Sequence, residues 1–229
     1  MFDTPANSPH WASLKHIGKT EGMSTSLFSG QKLDDYLRER LSDAVDAVAR
    51  TRESEILDDA PAVAQKIMGR FGVAELQLEP DQRVSRSEPR ETSAQGMEFG
   101  EQVTVPGLAL SLYVPFEGDP AIFTRQGSEY FLSGNPQGEA EGGRLRIDVV
   151  SYERSAEDLN RISRQALERV RRLVEIANGD IAAWRGNFES VVRTAVDRRS
   201  KEIKERQAVA DGLDFPVDPS KPERGLREW

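Results

Sequence analysis

The sequence predicts an α+β fold: a small antiparallel sheet, helices before it, and a long helix or helical hairpin after it. Three observations carry this. Apolar residues recur at helical spacing in residues 33–48 and again, for much longer, in residues 159–195. Between these runs, two segments alternate apolar and polar residues in strand fashion. Helices and strands grouped in blocks, rather than alternating, favour α+β over a parallel α/β sheet.

The predicted elements follow in order. Residues 1–30 read as a flexible tail. They hold both histidines, and a "GKT" at Gly18–Thr20 that lacks the upstream glycine and the preceding strand of a phosphate loop. Leu33, Leu37, Leu41, Val45 and Val48 then mark one face of a helix. "APAVAQKIMGRFGV" predicts a second helix, with Pro61 near its start and Gly72 near its stop. Leu76 and Leu78 alternate as in a short strand, and "DQRVSRSEPRETSAQG" reads as a charged linker without strands.

"GLALSLYV" puts Leu108, Leu110, Leu112 and Val114 on one side, and "RLRIDVVSY" does the same with Leu145, Ile147 and Val149. Each is a half-buried strand. A further strand is expected around Tyr130–Leu132, and "GNPQGEAEGG" reads as turns. "VPFEGDPAIF" predicts a packed corner. Pro115 ends ladder donation, Asp119 caps a single turn begun by Pro120, and Ile122 and Phe123 pack on the sheet.

The strongest pattern is the stripe Leu159, Ile162, Ala166, Val170, Leu173, Ala177, Ile181, Trp184, Phe188, Val192, Ala195. A continuous helix over it would be roughly 55 Å long at about 1.5 Å per residue. Ser155 is its expected cap, with Asp158 as partner. Gly179 and Gly186 favour a break; the unbroken phase favours one rod. Two readings of the stripe stay open. One is internal packing. The other is an interaction seam of coiled-coil type, with Leu159, Ile162, Val170, Leu173, Ile181, Trp184, Phe188 and Val192 facing a second chain. The predicted organisation is a tail (1–30), an α+β domain (31–153), a long helix or hairpin (154–212) and a C-terminal tail (213–229).

Composition narrows the function classes. Net charge is −8, which disfavours general attraction to nucleic acid. Positive charge gathers only along the long helix. Arg169, Arg171, Arg172, Arg198, Arg199 and Lys201 are the candidate nucleic-acid contacts there, although glutamates interleave with them. There is no cysteine, which excludes disulfides and cysteine-held zinc. No apolar run is long enough to span a membrane, and no secretory leader is recognisable, so a cytoplasmic location is expected.

"EIK" at Glu202–Lys204 resembles a nuclease Glu-x-Lys only superficially, because it falls on a helix. No catalytic residue, metal site or cofactor is expected. The leading reading is a non-catalytic module that associates with itself or with a partner protein; the alternatives are a nucleic-acid-binding accessory domain using the basic face of the long helix, and an enzyme whose carboxylate site only the fold assembles.

The set "LYVPFEGDPAIF", "RLRIDVVSYE", the long helix and "RRSKEIKERQAVADGLDFPV" resembles the N-terminal region of larger prokaryotic defence-associated proteins. Those often continue into a restriction-endonuclease-like domain. The resemblance covers about residues 31–217. It implies a scaffold or sensor role in defence against foreign DNA, and a helix break near Gly186 and Asn187. The family's Leu-Gly-aliphatic-Pro exit is matched only in part, by Gly212, Leu213, Phe215 and Pro216, with glycine and leucine reversed. This sequence stops at Trp229, where the nuclease would begin, so no nuclease residue is carried over.

Overall fold

The computed structural model describes residues 25–98, 101–129 and 134–214. Within them lie seven strands and three α-helices: β1 (Thr25–Ser26), α1 (Leu33–Arg50), α2 (Glu53–Phe71), β2 (Gln77–Leu78), β3 (Ser85–Arg86), β4 (Arg90–Glu98), β5 (Glu101–Glu117), β6 (Gln137–Glu141), β7 (Arg144–Ser151) and α3 (Ala156–Asp211). The protein is α+β with an antiparallel sheet. "GKT", both histidines and the strand expected around Tyr130–Leu132 lie outside the described residues.

The described chain divides into two compact bodies. One comprises residues up to Glu39 together with Val73–Arg185. The other comprises Arg40–Gly72 and the chain from Gly186 onward. The sequence-based division at residues 153 and 212 differs from this, because each body is assembled from separated segments. Residues 25–30 also belong to the fold: β1 pairs with β6, and Leu27 and Phe28 are buried.

In the first body the strands run β1-β6-β7-β5, with β2, β3 and β4 side by side along the other edge of β5. β3 and β4 fall where a strandless linker was expected. They are polar edge strands, paired only with β5, so they need no alternating apolar face. β6 is likewise polar and short. It is tied to β7 by a Gly142-Gly143 turn whose φ angles, 57° and 74°, suit a tight hairpin.

Leu110, Leu112, Val114, Leu145, Ile147 and Val149 face a common core with Val170, Leu173, Ala177 and Ile181 of α3. The corner holds as its residues suggest. Asp119 accepts from the Ala121 N–H at 2.9 Å, Pro120–Thr124 forms one 3₁₀ turn, and Ile122 and Phe123 are fully buried. Phe123 meets Phe116 edge-on at 4.8 Å. β5 nevertheless runs past Pro115 to Glu117. There the Pro115 carbonyl still accepts from Glu79, at 3.0 Å, and no proline donor is required.

The second body takes its core from three helical segments: Ala44 and Val48, then Ile56, Val63, Ala64 and Ile67, then Phe188, Val192, Val196 and Ile203. α2 breaks at Asp59 (φ −154°, ψ 79°). The Asp59 carboxylate accepts from the Ala62 N–H at 2.9 Å, so Pro61 stands in a first turn where its missing donor costs nothing. α3 is continuous through Gly179 and Gly186. The expected break is absent because the glycine penalty, about 1 kcal/mol each, is small beside the burial on either side.

Candidate interaction surface

The stripe is core of this chain. Leu159, Val170, Leu173, Ile181, Phe188 and Val192 are buried, and Ile162 and Trp184 are half-buried. The six buried side chains pack inside this chain. The stripe also outruns its expected end at Ala195, since Val196 and Ile203 are buried too.

The candidate nucleic-acid contacts are largely engaged with carboxylates. Arg171 pairs with Asp81, Arg198 with Glu202 at 3.4 Å, Arg199 with Glu53 at 3.4 Å, and Lys201 with Glu205 at 3.7 Å. Arg169 and Arg172 line a shallow groove of about 660 Å³ with Gly134, Ile162 and Ala166. Such pairing reduces the net positive field a phosphate backbone would meet.

The start of α3 holds a buried carboxylate. The Asp158 backbone N–H donates to the Ser155 hydroxyl at 3.0 Å, as the cap spacing predicts. The Asp158 side chain goes elsewhere: it accepts from the hydroxyl of Ser151, at the end of β7, and from Arg161. Asp158 is only 4% exposed. The Ser151 hydrogen bond, followed by burial acting the opposite way and by Arg161, holds its carboxyl below the usual carboxylate range. Bonded on both oxygens, this carboxylate locks helix to strand. Ser151 and Arg161 escaped sequence reasoning, although the i,i+3 spacing of Asp158 and Arg161 was visible. Among the described residues no cluster of His, Cys, Asp or Glu could hold a metal.

The two edges of β5 are not paired over the same length. β7 pairs with β5 only from Leu108 to Pro115, whereas β4 pairs with it from Ala109 back to Glu101. Among the described residues the sheet beyond Leu108 is a two-stranded ribbon. Pro106 sits just inside it, where β4 is the one described neighbour of β5 and a missing N–H is tolerated.

At the root of the ribbon the chain closes tightly. A Cβ on Gly107 would stand 2.8 Å from the Ser151 carbonyl and 2.9 Å from the Tyr152 ring, so only glycine lets that ring approach. Burial pushes the Tyr152 hydroxyl up from its ordinary value. Beside it lies a cavity of about 290 Å³, walled by Val105, Val150, Tyr152 and Ile162 with Glu153, Asp158 and Arg161.

No family model, curated protein or solved structure matches the chain. No helix among the described residues is long and apolar enough to cross a membrane.

Proposed function

We propose that this chain is a non-catalytic protein-interaction module, a scaffold or sensor that engages another chain through the β4–β5 ribbon. The supporting observation is the ribbon itself. Two strands alone are marginally stable in water, and nothing in the described sheet flanks them beyond Leu108. Open strand edges are natural templates for pairing with another protein. The absence of cysteine fits a reducing cytoplasm. The resemblance noted in the sequence supports antiphage defence as the setting, with the effector on the partner.

Site-specific photo-crosslinking in cells tests this reading. A benzophenone amino acid at Gln102 in the ribbon is compared with one at Gly142 in the β6–β7 turn. The expected result is a discrete adduct with a second polypeptide from Gln102 and none from Gly142. No adduct, or equal adducts from both positions, would remove the proposal.

A further inference from the structure

We infer that two copies of the chain join edge to edge through β4, antiparallel and centred on Ala94, so that their sheets run on as one. This rests on the interaction reading above and names the partner as a second copy. β4 takes β5 on one edge over its whole length, from Arg90 opposite Ala109 to Glu98 opposite Glu101. No described strand pairs with its other edge.

Sheets commonly guard such an edge by keeping the strand short, by a bulge, or by placing lysine or proline in it. β1, at the far side of the sheet, is only two residues long. β4 has none of these devices. It spans about 31 Å at about 3.4 Å per residue. Its pairing with β5 skips no residue, and "RETSAQGME" contains neither lysine nor proline.

The strand is also complementary to its own reverse. Full antiparallel overlap sets Ala94 against Ala94 of the other copy. It sets Arg90 against Glu98, once on each side of the twofold axis. The remaining positions pair Glu91 with Met97, Thr92 with Gly96 and Ser93 with Gln95, so no like charges meet. A slip of two residues is the smallest that keeps each side chain on its own face, and it loses both opposite-charge pairs as well as length. Arg90 is exposed and forms no ion pair among the described residues, while Glu91 is already matched by Arg154 at 3.0 Å. The net charge of −8 opposes self-association at a distance. Exposed charges farther apart than about 8 Å are screened at physiological salt, however. Backbone pairing supplies the affinity, and the end charges supply the register.

Sedimentation of the full chain across concentration tests this and should show a monomer–dimer equilibrium. Arg90→Glu and Glu98→Arg should each weaken it at least about tenfold while melting is retained, because each sets like charges opposite one another twice. An equimolar mixture of the two variants should associate again, since every facing pair is then of opposite sign. The chain has no cysteine, so single cysteines report the axis. Ala94→Cys should give a disulfide-linked dimer under mild oxidation. Thr92→Cys should not, its twin lying about 14 Å farther along the partner strand at about 3.4 Å per residue.

A chain that is monomeric at every concentration overturns the inference. So does a dimer indifferent to both charge reversals, a mixture of the folded variants that fails to associate, or equal cross-linking from the two cysteine positions. A Gln102 adduct with a different polypeptide, found for a monomeric chain, would leave the interaction module standing and remove only the self-pairing.

Discussion

Asn178 on α3 holds Leu76 by both of its main-chain polar groups. The Leu76 N–H donates to Asn178 Oδ1 at 2.9 Å, and the Leu76 carbonyl accepts from Asn178 Nδ2 at 2.8 Å. One side-chain amide thus replaces a strand neighbour for a buried residue that joins α2 to β2. Leu76 is 1% exposed, so neither group has water as an easy substitute. Asn178→Ala should lower stability by about 1–3 kcal/mol in denaturant unfolding. Asn178→Asp should cost more than the loss of one bond, because a carboxylate cannot donate to the Leu76 carbonyl and faces it with like charge. Equal stability of all three proteins would show that the pairing is incidental.

The Asp158 lock makes acid stability predictable in sign. Its folded carboxyl titrates below the unfolded value, chiefly because Ser151 donates to the charged form. Its stabilisation is therefore complete above the unfolded value of about 3.9 and is lost as pH falls from there through the folded value. Unfolding free energies measured at about pH 7 and about pH 3 should differ less for Asp158→Asn than for the natural chain. An unchanged difference would mean that Asp158 titrates alike folded and unfolded.

Gly179 and Gly186 lie on exposed positions of α3, and a Cβ built on either meets no atom within 4 Å. Neither close packing nor left-handed backbone explains them. Gly179→Ala and Gly186→Ala should each stabilise the protein by roughly 0.5–1 kcal/mol, through helix propensity alone. A fall in melting temperature would reveal a need for bending that the continuous helix does not show.

The features legible in the sequence are those encoded locally. The Asp119-Pro120 turn, the alternation of β5 and β7, and the phase of α3 each declare themselves within a few residues. β3 and β4 did not, because an edge strand is held by backbone pairing and needs no apolar alternation; β6, a short polar strand between β1 and β7, did not either. The Asn178–Leu76 clamp joins residues 102 apart, and no pattern in either segment points to the other. The β4–β5 ribbon was illegible for the same reason: its existence depends on where β7 stops relative to β5, a matter of register. The stripe was legible as a pattern but not in its ownership. Periodicity says which residues are buried, but not whose surface buries them.

Leu173 decides between those two owners. It is 6% exposed and packs in the core shared by the sheet and α3. A carboxylate there has no cationic partner built for it, and burying an unpaired charge costs several kcal/mol. Leu173→Asp should therefore abolish cooperative melting or lower its midpoint sharply, independent of protein concentration. Val105→Arg, at the half-buried root of the ribbon, should leave melting intact. A Leu173→Asp chain that melts normally and loses only the ability to associate would return the stripe to the role of an intermolecular seam.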